Sequence, residues 1–203
     1  LGLAAERGVD AVFAPSVEEM YPEGASGVII SAPGLRDRLC GAFRPGHFDG
    51  VLTVVAKLFN IVAPDVAVFG RKDYQQAVLI RRMVRDLDVP LRVEVAPIVR
   101  ESDGLAMSSR NVYLAAAERS RAALLYRGLS AAHDAWSSGE QDPAALQRAA
   151  RAVIDAGGGI EVQYLEIVDP DTLEAVTRVV PGSVIAIAAF VGGTRLIDNL
   201  VLE

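Results

Sequence analysis

Asp65-Val66-Ala67-Val68-Phe69-Gly70-Arg71-Lys72-Asp73-Tyr74-Gln75-Gln76 decides the fold. An apolar run, 66–69, gives way through a glycine to a cluster of charges and amides. Beyond it Tyr74, Ala77, Ile80, Val84 and Leu87 recur at helical spacing. A second run at 91–99, carrying Leu91, Val93, Val95, Ile98 and Val99, reads as the next strand. Strand, helix and strand in this order form a βαβ unit and predict a parallel sheet. Ligands of open α/β sheets bind outside the carboxyl ends of the strands. The unpaired N–H groups of a helix start attract phosphate there.

Upstream, 10–14 followed by Pro15 reads as a buried strand and 27–30 as a short strand. Arg44-Pro45-Gly46-His47-Phe48-Asp49-Gly50 is a turn, and 51–62 a helix. Leu52, Val55, Phe59 and Val62 share one face of that helix, whereas Val51, Val54, Leu58 and Ile61 share another. A helix apolar nearly all round is covered on two sides, so one face is expected to meet a second copy in a homodimer. Downstream of Leu114 the texture changes. An alanine-rich helix spans 116–136, Asp142-Pro143 opens another, and Gly157-Gly158-Gly159 closes it. Strands follow at 160–168, 183–191 and 194–201, the last two joined by a Gly192-Gly193 hairpin turn. The fold class is therefore α/β: a parallel-sheet domain over 1–99, then a smaller α+β domain with antiparallel strands over 100–203.

Composition narrows the function classes. Of 203 residues, 51% are hydrophobic and 23% charged, an ordinary globular balance. Twenty basic against 26 acidic side chains leave a formal charge of −6, which disfavours nucleic acid as a partner. A mean hydropathy of +0.29 invites a membrane check. The longest uninterrupted apolar run, 184–191, is far too short to cross a bilayer. The first residues lack the basic start and long apolar stretch of a signal peptide. The single cysteine, Cys40, permits no internal disulfide and fits a reducing, cytoplasmic compartment. As a side chain it reads as a small buried hydrophobe rather than a catalytic thiol.

Candidate chemistry gathers in two stretches. Lys72 reads as a solvated surface lysine or as a mobile point charge for phosphate oxygens; its place after an apolar strand favours the second. Asp73 can cap the next helix, accept hydrogen bonds from ribose hydroxyls, or do both. Gln75 and Gln76 are either solvated first-turn residues or readers of a substrate carboxylate or hydroxyl. The second stretch, Asp103-Gly104-Leu105-Ala106-Met107-Ser108-Ser109-Arg110-Asn111, packs two hydroxyls, a guanidinium and an amide into four residues. It is either an ordinary serine turn or a loop that folds over a triphosphate. His47, in a Pro-Gly turn, reads as a hydrogen-bonded structural residue, and His133 is given no role. The sequence contains no metal-ligand cluster, P-loop or Ser-His-Asp order.

These stretches, with Arg44–Val51, Lys57-Leu58-Phe59-Asn60, Ile80-Arg81-Arg82-Met83-Val84, 100–114 and Tyr164-Leu165-Glu166-Ile167-Val168-Asp169, closely resemble the pantoate–β-alanine ligase family. The resemblance runs over essentially the whole chain. It implies a Rossmann-like, adenylate-forming enzyme that condenses pantoate with β-alanine at the expense of ATP through a pantoyl adenylate. It implies that Gly70, Arg71, Lys72 and Asp73 hold ATP, taken as Mg-ATP, with Lys72 on the phosphates and Asp73 on the ribose. Gln76 would bind pantoate, Val99 would meet adenine through its backbone, and Ser108, Ser109, Arg110 and Asn111 would close over the phosphates. Lys72, Ser108, Ser109 and Arg110 are the implied catalytic set. The family's opening segment, with an HxGH motif and an Asn-Pro-x-Gln stretch, has no counterpart in the sequence. The chain is accordingly expected to be part of a longer enzyme and not to form pantothenate unaided.

Two rivals remain. A nucleotidyltransferase joining a nucleotide to a phosphate ester would need neither an amine acceptor nor Gln76. A non-catalytic dimerisation module would use the two-faced helix at 51–62 and would not bind nucleotide.

Overall fold

Val184-Ile185-Ala186-Ile187-Ala188-Ala189-Phe190-Val191 carries almost no polar atom because both faces of this strand are covered. The computed structural model describes residues 2–24 and 27–203. Its helices are α1 (Gly2–Glu6), α2 (Val17–Met20), α3 (Pro33–Arg36), α4 (His47–Val62), α5 (Tyr74–Asp86), α6 (Ala116–Ser137) and α7 (Pro143–Ala156). The strands are β1 (Val66–Gly70), β2 (Arg92–Ala96), β3 (Ile160–Val168), β4 (Val184–Val191) and β5 (Thr194–Val201). β1 and β2 pair in parallel around α5, as the βαβ pattern predicts. β3, β4 and β5 form a separate antiparallel sheet in that order, with β3 and β5 at its edges.

Alternating side chains point to opposite faces of a strand, and β4 uses both. Ile185, Ile187, Ala189 and Val191 join Leu125 and Leu129 of α6 and Leu146 and Ile154 of α7 in one core. Val184, Ala186 and Ala188 join a second core, with Leu52 of α4 and Val78, Leu79 and Met83 of α5. The antiparallel sheet is thus the middle layer. A bulge between Val162 and Tyr164 takes up one extra residue of β3, so Ile160 and Val162 before it and Leu165 and Ile167 after it all reach the first core.

Local chemistry sets the helix boundaries. Asp142 caps α7 by accepting from the N–H groups of Ala144 and Ala145, and Pro143 fills the first helical position. α4 starts at His47, four residues earlier than the apolar pattern predicts, because the turn at Gly46 has left-handed φ (75°) and delivers the chain straight into a helix.

Two expectations need correction. Residues 10–14 and 27–30 form no strand: Val12, Phe13, Val28 and Ile29 are all exposed. A strand exists only within a ladder, and neither segment joins the β1–β2 or the β3–β4–β5 sheet. The 27–30 stretch is instead anchored where the Ile30 N–H donates to Thr53 Oγ1 of α4 (3.0 Å). Within one copy, Phe48, Leu52 and Thr53 are the buried residues of α4 and Ile61 and Val62 are exposed, which leaves uncovered the face expected to meet a second copy.

Candidate active site

The Lys72 turn is the short 3₁₀ segment Arg71–Asp73 that links β1 directly to α5. Its position follows from the burial of α5, whose Gln75, Ala77, Val78, Leu79, Ile80 and Met83 all face inward. Gln75 is no solvated first-turn residue. Its Nε2 donates to the carbonyls of Leu35 (2.9 Å) and Arg38 (2.7 Å), and its Oε1 accepts the Gly41 N–H (3.3 Å). The amide therefore stitches the start of α5 to the 35–41 loop. Gly41 is required there, because a Cβ would lie 1.5 Å from the Arg36 carbonyl oxygen.

Around this turn opens a cleft. Lys72, Asp73 and Gln76 line it from the parallel unit, Arg44 from the turn before α4 and His47 from its first residue, and Arg110 from the serine loop. Cys40, Tyr164, Arg195, Asp198 and Asn199 complete it. Sequence reasoning thus places four of its site residues, Lys72, Asp73, Gln76 and Arg110, in one crevice. Asp73 occupies the N-cap position of α5 without a capping bond, and its carboxylate is exposed. Lys72 has no ion-pair partner within 4.0 Å among the described residues, so its ammonium is free to meet an anion.

The other predicted positions lie around the cleft rather than in it. Arg71 lines an adjoining depression with Arg100 and Asn199. Gly70 is the exposed last residue of β1. The Val99 carbonyl accepts the Met107 N–H (2.9 Å), and its side chain is exposed. Ser108 caps the 3₁₀ segment Ser109–Tyr113 by accepting the Arg110 N–H (3.2 Å), and Ser109 is exposed. Asn111 Nδ2 donates to the Ala106 carbonyl (3.2 Å), while its Oδ1 is buried without a hydrogen-bond partner among the described residues.

Electrostatics favour an anion. Four cations, Arg44, Lys72, Arg110 and Arg195, line a cleft whose acids are Asp73 and Asp198. Asp198 is already committed, accepting both Nη1 (2.7 Å) and Nη2 (3.0 Å) of Arg100. Its carboxyl is pushed up by burial, against the pull of Arg100. The crevice of an acidic protein is thus locally positive, an arrangement that concentrates anionic ligands. His47 responds to the same surroundings. Its pKa is lowered by burial first, then by Arg44, Arg110 and Arg195. A guanidinium can only donate, so the 2.8 Å contact from Arg44 Nη1 makes Nε2 the acceptor and puts the ring proton on Nδ1.

Arg195, Asp198, Asn199, Tyr164 and Cys40 are the residues that sequence reasoning missed. Cys40 is half-buried and polar in its contacts: Sγ lies 3.1 Å from the Tyr164 hydroxyl and accepts from Arg195 Nη2 at 3.4 Å. Burial pushes the Tyr164 hydroxyl pKa far up, so it stays protonated. Arg195 is oriented by Gln163, whose Oε1 takes Nε (2.9 Å) and Nη2 (2.8 Å). The available signal was the Asp198-Asn199 pair, two polar residues breaking the apolar alternation of 194–201.

Known proteins fit this geometry. Pantothenate synthetases of Moorella thermoacetica and Pelobacter propionicus are 52% and 53% identical to the chain over 201 and 202 residues. The alignments cover 99% and 100% of this chain and 71% of each relative. The crystal structure of pantothenate synthetase from Thermus thermophilus superposes with a TM-score of 0.93 at 47% identity, over 100% of this chain and 73% of that one. A pantoate–β-alanine ligase from Francisella tularensis, solved with β,γ-ATP and β-alanine, superposes at 0.79 with 32% identity, over 100% of this chain and 68% of that one. Residues 1–201 match the family described as pantoate-beta-alanine ligase, and with relatives this close the chain belongs to that family.

Proposed function

We propose that the cleft binds ATP and pantoate and joins pantoate to β-alanine in two steps. In the first, a pantoate carboxylate oxygen attacks the α-phosphorus. A P–O bond forms to the acyl group, the bond to the β-phosphate breaks, and pyrophosphate leaves. In the second, the β-alanine amine attacks the acyl carbon, the C–O bond to AMP breaks and the amine loses a proton, giving pantothenate. The observation that carries this reading is the convergence of Lys72, Arg110 and Gln76 on one locally positive crevice. Lys72 and Arg110 oppose the charge that grows on the departing pyrophosphate, Asp73 takes the ribose and Gln76 orients pantoate. Ser108, Ser109 and Asn111 supply further donors over the phosphates, and Gly70, Arg71 and Val99 frame the nucleotide. Much of the rate gain is positioning of two reactants.

ATP enters in this reading as its magnesium complex, with the metal carried on the phosphates. The parallel pair acts as a Rossmann-type nucleotide layer within residues 1–99, and 100–203 contributes Arg110 and Arg195. The exposed Ile61 and Val62, with half-buried Val54 and Leu58, support a homodimer contact along α4. Val54→Asp or Leu58→Asp would then dissociate the protein in sedimentation runs at fixed concentration. The lone cysteine supports a cytoplasmic setting.

The testing experiment, run with the family's opening segment fused to this sequence, is pantoate-dependent ATP–pyrophosphate exchange, which reports the first step alone, followed by pantothenate formation when β-alanine is added. Exchange that requires pantoate is the expected result. Nucleotide binding without exchange would favour the nucleotidyltransferase reading, and neither binding nor exchange the non-catalytic one.

A further inference from the structure

The two loops that meet at the cleft are far apart in sequence, yet one dipeptide touches both. Asp198 and Asn199 are consecutive residues of β5, so their side chains leave opposite faces of the strand. Asn199 reaches the Lys72 turn: Nδ2 donates to the carbonyls of Arg71 (2.9 Å) and Lys72 (3.0 Å). The amide orientation is fixed by this pair, since the flipped form would set an oxygen against two acceptors. Its Oδ1 meanwhile stays buried without a hydrogen-bond partner among the described residues. Asn199 therefore serves the turn rather than its own hydrogen-bonding capacity.

Asp198 reaches the other loop through Arg100. That guanidinium is held by both carboxylate oxygens, donates to the Gly104 carbonyl (3.0 Å) and the Asn199 carbonyl (3.3 Å), and lies 3.9 Å over the Tyr126 ring. Gly104, with φ at +93°, turns the chain into the serine loop, and the Tyr126 ring stands 2.3 Å from where a Cβ would be. The root of the serine loop is thus clamped from β5 by side chains, just as the Lys72 turn is.

We propose that Asp198 and Asn199 are positioning residues that hold the Lys72 turn and the serine loop in fixed register across the nucleotide phosphates. This rests on the ligase reading only for its kinetic consequence. The pair lines the cleft, and its positioning role is exercised through Lys72 on one side and through Arg100 and Gly104 on the other. A positioning role of this kind separates the rate with ATP from the rate with pantoate, because pantoate meets Gln76, one helical turn beyond the clamped carbonyls.

The test compares the unmutated protein with Asn199→Ala and Arg100→Lys by amide hydrogen exchange and by pantoate-dependent ATP–pyrophosphate exchange. In Asn199→Ala, exchange at 71–75 should quicken at least about tenfold while β4 keeps its protection. kcat/KM for ATP should fall about tenfold, with KM for pantoate held within about twofold. Arg100→Lys keeps the charge but not the fork, and should move the same quickening to 101–106. Unchanged protection at 71–75, or quickening spread evenly through β4, would overturn the proposal. So would kinetics per folded molecule equal to those of the unmutated protein. Should Asn199→Ala not fold, Arg100→Lys decides by the same readouts. If the unmutated protein, with the family's opening segment fused to it, shows no pantoate-dependent exchange, the ligase reading fails, and hydrogen exchange alone then decides the positioning role.

Discussion

The Lys72 turn and the serine loop offer similar chemistry on unlike foundations. The first is flanked by a strand and a helix whose inward face is buried, and is underpinned by Gln75 with bonds to three loop residues. The second is held by its own short-range bonds, Arg110 N–H to Ser108 Oγ and Asn111 Nδ2 to Ala106, and leaves Met107, Val112 and Tyr113 exposed. Local stability follows buried contacts and enclosed hydrogen bonds. One side of the cleft is therefore firmly underpinned, and the other is fixed mainly at its root, by Arg100 and by the Asp103–Arg119 pair.

The strongest blow to the comparison is Lys72→Ala. Pantoate-dependent ATP–pyrophosphate exchange should fall about 10²–10³-fold, with little change in melting temperature, because this side chain supports no packing. Exchange at the unmutated rate would remove Lys72 from the chemistry. Gln75→Leu attacks the foundation instead of the charge. It removes the amide's bonds to the Gly41 N–H and the Leu35 and Arg38 carbonyls, which keep only the loop's own backbone bonds, Gly41 N–H to Arg38 and Arg38 N–H to Leu35, so urea unfolding should show a loss of about 1–2 kcal/mol. A loss below about 0.5 kcal/mol would mean that water replaces the amide and that the underpinned side is less enclosed than it looks.

Gln76→Ala sharpens the division of labour. Losing one oriented hydrogen bond should raise KM for pantoate about tenfold while ATP affinity, followed by titration, stays put. Equal shifts in both would place Gln76 elsewhere. Asp103→Ala probes the weaker side. The Asp103 carboxyl accepts from Arg119, including Nη2 at 3.1 Å, and that contact holds its pKa below the usual carboxylate range. A depressed folded value means stability that is present above the ordinary aspartate pKa of about 4 and lost as pH falls through the folded value. The pair is partly solvated, so its worth should stay under about 1 kcal/mol at neutral pH. The difference between Asp103→Ala and the unmutated protein should vanish in acid; a gap that persists there would assign it to packing.

The smallest effect is spectroscopic. Arg110 is one of the charges that lower the His47 pKa, after burial and Arg44. Arg110→Ala should shift the imidazole titration upward by NMR, still short of the ordinary value because burial, Arg44 and Arg195 remain. No upward shift would show that the serine loop spends its time away from the cleft.

How much of this was legible in the sequence varies by region. The βαβ unit was, because an apolar run followed by helical spacing leaves few alternatives, and β3, β4 and β5 were marked by their glycine turns. Val12, Phe13, Val28 and Ile29 misled because β-propensity describes a side chain's fit to a pleated surface, not the presence of a neighbour to pair with. Lys72, Asp73, Gln76 and Arg110 were readable as donors and acceptors in turns. Gln75 was not, since its neighbours on the 35–41 loop come from distant sequence and nothing local separates a buried glutamine from a solvated one. Asp198 and Asn199 stayed hidden for a related reason. Their partners lie on the other side of the chain's topology, and only the broken alternation in β5 marked them.

The bulge in β3 bears on how this chain tolerates changes in length. Val162 pairs with Ala189 and Tyr164 with Ala188, so Gln163 is the residue without a ladder position, and it is the one that aims Arg195 into the cleft. Deleting that single codon would leave a more regular sheet on paper. The remaining pairs would keep their faces, with Val162 still opposite Ala189 and Tyr164 opposite Ala188, and the loss would fall on Arg195, released from the carboxamide that guides it. A deletion at a paired position of the strand would instead carry one side of it to the opposite face. Sequences related to this one should therefore drift in composition between residues 160 and 168 while keeping their count.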